Sequence, residues 1–560
     1  MSRQITFIGL STLLAVSIGL AAQEAVDLAA IYQIKSEAFD RSQVMDHLYY
    51  LTDVHGPRLT NSPQYNAAAK WAVDRLKSYG VDNAHLEPWG RFGRGWSYSH
   101  LSVQLKEPIA MSLIGVPMAW CGGTTDAVSG ETILAPAFVE EEASYDLKKL
   151  NEQIAQFKQK YAGKLKGKIV LTHKARALKL PTTPSARRDD EAKLVEIATA
   201  PEPRPHKPIT LPITELPSNP DERGDLFANA PSEALNDYFE RLDRVMLTLH
   251  TFLKQEGALA AITTDDRGDG GIAFAESAGI AGDSANVPVP TIVLIPEHYN
   301  RLVRLVEHGV KVRLDVDLAV QFQDQSLDGN NIVAEIPGER KRDEVVMLGA
   351  HFDSWHSGTG ATDNGIGSAV AMEAFRILKA INLPMDRTVR LALWGGEEQG
   401  LLGSRGYVKQ HFGDPTTLTL KPEQAKIAAY FNLDNGSGKV RGVYLQGNEM
   451  VRPIFEQWLA PFRDLGATTL SIRNTGGTDH LSFDAVGIPA FQFIQDPLDY
   501  GSRTHHSHLD VYDRVQPGDA VQASAIMAAF VYEAAMRDPP LPRKPLPKAP
   551  RPPVSAGRQQ

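Results

Sequence analysis

The sequence predicts an α/β fold: a mostly parallel mixed sheet flanked by helices, with a β-rich domain inserted into it. Three observations carry that prediction. From Asn330 onward, short β-branched runs alternate with helical stretches, the pattern of a sheet covered on both faces. Between about Cys121 and Gln325 this gives way to short apolar runs separated by a long proline-rich segment. Beyond Asn330, the acidic and histidine residues that stand out each follow a strand-like run, and that is the edge where open α/β sheets gather ligands.

Composition narrows the class. The 560 residues are 42% hydrophobic and 22% charged, ample for a large core and for more than one domain. A formal net charge of -9 leaves no basic excess for phosphate backbones, so nucleic acid is not an expected partner. Residues 1–22 read as a signal peptide, with Arg3, an apolar stretch over 5–20 and the small pair Ala21-Ala22. The alternative is an uncleaved anchor, but the run is interrupted by Gly and Ser/Thr and is short for a span of about 20 residues. A secreted or periplasmic protein without stable membrane insertion is expected. Cys121 is the sole cysteine, which excludes an intrachain disulfide, a CxxC metal site and a lipid-bearing cysteine at the cleavage point. It reads as a packed, inert thiol.

In chain order, residues 25–79 read as helical, with apolar recurrence through Ile31, Val44, Leu48, Leu51, Ala69, Ala72 and Leu76, and Gly80 as the stop. Residues 100–105 read as a strand. Apolar strands follow at 166–172, 257–263 and 287–295, and then a helix at 297–307. The stretch 177–223 is rich in Pro, Arg and Glu and precedes an amphipathic run at 233–252. It is too long for a bare loop in a compact domain and reads as an arm, a lid or a partly disordered segment. Strands are expected at 331–336, 344–349, 388–394, 426–431 and 490–494, and helices at 367–380 and 520–536. These elements give a signal peptide (1–22), a catalytic-type domain (23–120 with 326–537), an insert (121–325) containing an arm (177–256), and a disordered proline-rich tail (538–560).

Five segments carry candidate chemistry. His351-x-Asp353 follows a strand; the imidazole suits a metal, and Asp353 could orient it from behind. Asp363 precedes a helix, where capping alone would explain it, although flanking glycines also suit a carboxylate shared by two metals. Glu397-Glu398, between glycines, places adjacent carboxylates that repel unless cations offset them. One could bind metal while the other acts as general base. Asp434-Asn-Gly suits a turn as well as a ligand. His505, His506 and His508 crowd one short segment, a density that favours metal. The order and placement of the series fit two ions about 3.5–4 Å apart in a hydrolytic site. HExxH and GxSxG motifs are absent.

The series His351-x-Asp353, Asp363-Asn-Gly, Glu397-Glu398, Asp434 and His506 resembles the co-catalytic di-zinc exopeptidase family, which includes bacterial leucyl-type aminopeptidases and carboxypeptidase Q. The similarity covers about 330–513 and is most specific in the run Trp394 to Ser404; the insert resembles a protease-associated domain. The resemblance implies two zinc ions, with His351 and Asp434 on one, Glu398 and His506 on the other, and Asp363 bridging. His506 is chosen because the family spacing His-Ser/Thr-x-x-Asp fits it relative to Asp510. The resemblance further implies that Asp353 orients His351 and that Glu397 is the general base for attack by zinc-activated hydroxide. His505 replaces the tyrosine of many aminopeptidases, is similar to carboxypeptidase Q in this, and is expected to donate to the oxyanion. Gly477, Asp479 and His480 fall in a substrate-side loop. A peptide is the expected partner, and a homodimer is left open. The end of the peptide that is recognised is not legible, and manganese or cobalt would also suit such ligands. Rival readings are an inactive binding protein of the same architecture and a single-zinc glutaminyl cyclase.

Overall fold

The computed structural model describes residues 24–137, 146–178, 180–203, 209–267 and 270–546. The expected signal peptide and residues 547–560 of the expected disordered tail lie outside them. Among the described residues no helix is long and apolar enough to cross a membrane.

A mixed sheet of eight strands organises the part of the chain that carries the candidate ligands. At its centre Arg387–Trp394, Lys341–His351, Ile427–Asn432 and Ala490–Gln495 run parallel to one another. Antiparallel strands extend it on both sides, Asp328–Ile336 on one and Val440–Tyr444 on the other. The register aligns His351 with Trp394 and Gly349 with Asn432, so the central strands end side by side. Their residues are buried almost throughout, as apolar strands covered on both faces must be. Helices Leu28–Asp40, Ile366–Ile381 and Pro517–Met536 pack through one large core. Leu402–His411 covers the other face through Tyr407 and Val408.

The helical run expected over 25–79 is broken into Leu28–Asp40, Val44–Tyr49 and Pro63–Ser78, with a single π-type turn at Tyr50–Val54. Gly56-Pro57 and the cap Ser62-Pro63 interrupt it, because proline lacks the amide donor and disfavours helix in the residue before it. The cap is explicit: Ser62 Oγ accepts from Tyr65 N at 3.1 Å.

A second eight-stranded sheet is built from Met111–Ser112, Gly95–Glu107, Arg313–Gln323, Val128–Leu134, Lys168–Leu171, Ala260–Thr263, Thr291–Leu294 and Gly115–Pro117. It begins at Gly95, ahead of the boundary expected at Cys121, because Gly95–Glu107 pairs along its whole length with Arg313–Gln323. Cys121 is buried in this part of the chain, and burial pushes its thiol up to about 12, consistent with an inert packed residue.

The arm is docked. It contains helices Glu191–Ala198, Pro220–Asn229 and Ser232–Gln255. Arg188 bridges Asp496 at 2.9 Å and Asp519 at 2.8 Å. Arg187 N donates to Leu498 O at 3.0 Å, Ser502 Oγ to Ser185 O at 2.8 Å, and Ser471 Oγ to Ile197 O at 2.7 Å. Residues 538–546, expected to be disordered, are also fixed. Leu541 is buried, Asn448 donates to Pro542 O at 2.8 Å, and Lys544 pairs with Asp484 at 2.7 Å. Apolar Leu541 and the cationic heads of this segment find partners that its composition did not reveal.

Candidate metal centre

All candidate ligands but Asp363 follow the end of a central strand. His351 is the last residue of Lys341–His351, Glu397 and Glu398 follow Trp394, Asp434 follows Asn432, and His505 and His506 lie in the connection after Gln495. Asp363 comes from the turn before Ile366–Ile381. The N-cap there is Gly365, and the side chain that accepts from the first turn is that of Asn364, whose Oδ1 takes Gly367 N at 3.0 Å. Capping therefore does not account for Asp363.

The ligand atoms converge. Asp363 Oδ1 lies 3.2 Å from His351 Nε2, and Asp434 Oδ1 lies 3.4 Å from the same nitrogen. The other oxygen of Asp363 faces His506 Nε2 at 3.3 Å, and Glu398 Oε2 faces that nitrogen at 3.0 Å. Candidate ligand atoms of His351, Asp363 and Asp434 all lie within 4.8 Å of one another, and those of Asp363, His505 and His506 do likewise. Asp363 is common to both groups. The Glu398 side chain is 3% exposed, which rules out a solvated acidic turn.

Charge balance explains what such a cluster needs. Burial, reinforced by Asp363, pushes Glu398 up to about 8. Burial raises Glu397 well above the ordinary carboxylate range, and Asp434 and Asp479 add to it. Burial also lifts Asp479 to about 8, with Asp434 and Asp353 contributing. Burial opposes charging of His351 and His506, yet the carboxylates around them win and raise both well above the usual imidazole range. Asp363 Oδ2 is buried without a hydrogen bond. A nest of buried acids with two imidazoles and an unsatisfied oxygen is short of positive charge, and the nitrogen and oxygen donors suit zinc or a similar divalent cation.

The surrounding groups hold this geometry. Asp353 departs from its expected role. Its carboxylate is 3.7 Å from His351 Nδ1, beyond hydrogen-bond reach, and that nitrogen instead meets the main-chain oxygen of Asp353 at 3.1 Å. The carboxylate accepts from Glu397 N at 3.1 Å, Glu398 N at 3.3 Å and Thr60 Oγ1 at 2.8 Å. It anchors the backbone of the acidic pair. Asp510 likewise accepts from Thr362 N at 2.6 Å and Asp363 N at 3.2 Å, fixing the turn that presents Asp363. Arg58, fully buried, donates to the carbonyls of Leu51, Phe352, Thr359 and Gly360 at 2.8, 2.8, 3.1 and 2.9 Å.

His505 Nε2 is 3.5 Å from Asp363 Oδ2, and its half-exposed ring lies 3.9 Å, centroid to centroid, from that of His506. His508 is occupied elsewhere, accepting from Ala273 N at 3.0 Å. Of the three residues assigned to a substrate-side loop, Asp479 and His480 are fully buried and Gly477 alone is exposed. The structure therefore removes Asp479 and His480 from direct contact with solvent-borne substrate. His480 Nε2 meets Thr475 O at 3.2 Å, so its ring braces the loop from inside. Sequence reasoning missed Arg58, Thr60 and Glu276, which lie far from the ligands in sequence and carry no metal-ligand spacing. The breaker Gly56-Pro57 beside Arg58 was the one available signal.

This fold and site point to a class: residues 331–531 match the model of peptidase family M28. Carboxypeptidase Q of Homo sapiens is 30% identical over 263 residues, 47% of this chain and 53% of that protein, so the match spans about half the length of that relative. The fold is similar to that of the peptidase M28 precursor from Shewanella amazonensis SB2B, with a TM-score of 0.62 at 21% identity over 93% of this chain and 98% of that one. BSAP, a zinc aminopeptidase from Bacillus subtilis, superimposes with a TM-score of 0.50 at 18% identity, covering 89% of this chain and 95% of that one.

Proposed function

We propose that the chain is a secreted or periplasmic zinc exopeptidase holding two ions, which hydrolyses peptide bonds next to a chain terminus or in dipeptides in the manner of carboxypeptidase Q. One observation carries the two-ion reading: the two oxygens of the Asp363 carboxylate face two different imidazoles, His351 at 3.2 Å and His506 at 3.3 Å. His351 and Asp434 would hold one ion and Glu398 and His506 the other, with Asp363 shared. When bound, zinc lowers the pKa of water to about 7 and polarises a carbonyl.

The remaining work falls to the protein. Glu397, partly exposed beside the ligands, takes a proton from the attacking water and delivers it to the leaving amine. Asp353 holds its main chain in place. His505, half-exposed at the rim, donates to the oxygen that gains charge at the scissile carbonyl. An aminopeptidase of the same family is the alternative.

Zinc analysis combined with hydrolysis of dipeptides, amine-blocked peptides and carboxyl-blocked peptides tests the proposal. Cleavage of amine-blocked peptides with a free carboxylate supports the carboxypeptidase reading. A strict need for a free amine selects the aminopeptidase, and intact peptides with a metal-free protein reject both.

A further inference from the structure

The second sheet reaches into the metal centre. Between its strands Ala260–Thr263 and Thr291–Leu294, the segment 273–276 pairs with the loop that carries His506. Phe274 and Ser507 form an antiparallel bridge, Ala275 N donates to His506 O at 3.3 Å, and His508 N donates to Ala273 O at 3.1 Å. Ser357 Oγ, from the loop after His351, closes the seam on Ala275 O at 2.8 Å. Glu276 ends this segment. Its Oε1 lies 2.8 Å from His506 Nδ1, the nitrogen opposite the one facing Glu398 and Asp363. The carboxylate is itself clamped by Arg267 at 3.0 Å, and Arg267 is held by Asp265 at 2.9 Å and lies over the Phe274 ring.

From this geometry we infer that Glu276, a residue of the inserted domain, is the positioning carboxylate for the metal ligand His506. The inserted domain thus forms part of one of the two ion sites. A neutral imidazole carries one proton, so a hydrogen bond from Nδ1 to Glu276 leaves the Nε2 lone pair free for a cation and fixes the plane of the ring. His351 is oriented differently, through the main-chain oxygen of Asp353 in the loop that follows its own strand. The two ion sites therefore depend on different parts of the chain. Loss of Glu276 weakens the ion held by Glu398 and His506 and spares the ion held by His351 and Asp434. This inference rests on the two-zinc reading above.

The test is chelator competition on the full-length zinc-loaded protein, which resolves the affinities of the two ions, for wild type, Glu276→Ala, Glu276→Gln and Arg267→Met. Glu276→Ala is expected to weaken one zinc by roughly 10–100-fold and leave the other unchanged. Glutamine keeps an acceptor oxygen without the charge, so Glu276→Gln recovers part of the loss. Arg267→Met, which leaves the ligand loop untouched, moves the same zinc in the same direction by less and serves if Glu276→Ala does not fold. Two wild-type affinities in Glu276→Ala and Arg267→Met, or equal loss of both ions, overturn the inference. A wild-type protein that binds no zinc overturns the functional proposal instead, so the two failures are distinguishable.

Discussion

Replacing Asp353 by asparagine separates two accounts of the residue. In the structure its two oxygens serve three donors, Glu397 N, Glu398 N and Thr60 Oγ1, while His351 Nδ1 is satisfied by a main-chain oxygen that the substitution leaves in place. Asparagine offers one acceptor oxygen and turns an NH2 toward one of the main-chain N–H groups. A hydrogen bond to a charged group contributes about 1.5–3 kcal/mol, so at least that much of the anchoring of the Glu397-Glu398 turn is lost. If a loss of about 2.7 kcal/mol is felt in the reacting geometry, turnover falls by about 10²-fold, the scale expected when a catalytic group is displaced by about 1 Å. The zinc held through His351 should stay within about threefold of wild type, far short of the roughly 10–100-fold loss expected when the partner of a ligating imidazole is removed. Steady-state kcat on a dipeptide and chelator competition measure the two quantities. Weakened zinc at the His351 site together with normal kcat in the reloaded enzyme would refute the reasoning.

Other outcomes follow from the same geometry. Glu397→Gln should retain metal but turn over at least about 10²-fold more slowly, checked by zinc content and kcat on one preparation. His505→Ala should keep both ions yet lose about 10-fold or more in kcat, and unchanged kcat would remove the residue from the oxyanion role. Arg58→Met removes hydrogen bonds to four main-chain carbonyls, of which Gly360 O keeps Gly365 N, and urea unfolding should show a loss of about 3–5 kcal/mol. Burial depresses His356 to about 4, and its Nε2 meets Pro117 O at 2.7 Å. Between pH 6.5 and about 4 the unfolded chain binds a proton that the folded chain refuses, so stability should fall as pH drops through that window. His356→Gln should flatten part of the fall in pH-dependent urea titrations.

The ligand-bearing sheet was legible because its central strands are apolar runs of ordinary length separated by strong helical patterns, and a parallel register then forces their ends into one row. Asp363 shows where local reading stops. Beside a helix start, Asp and Asn both suit a cap, and the three-dimensional turn decides that the Asn364 side chain accepts from the first turn while Asp363 faces the centre. Asp353 illustrates a second limit. Two residues from His351 in sequence, it turns its carboxylate to the backbone of Glu397 and Glu398, a contact no spacing encodes. The docked arm and the segment around Leu541 were obscured by proline and charge, which describe solvated chain and surface-docked chain equally well. Glu276 was beyond reach for a different reason. It belongs to another sheet, and only the pairing of Phe274 with Ser507 brings it to His506.

Zinc per chain, measured by mass spectrometry of metals on purified wild type and Asp363→Asn, tests the shared-carboxylate centre most directly. Two equivalents in wild type, with at least one lost when Asp363 is replaced, is the predicted result. A single equivalent in wild type, or undiminished binding in the variant, would contradict a centre built around that carboxylate.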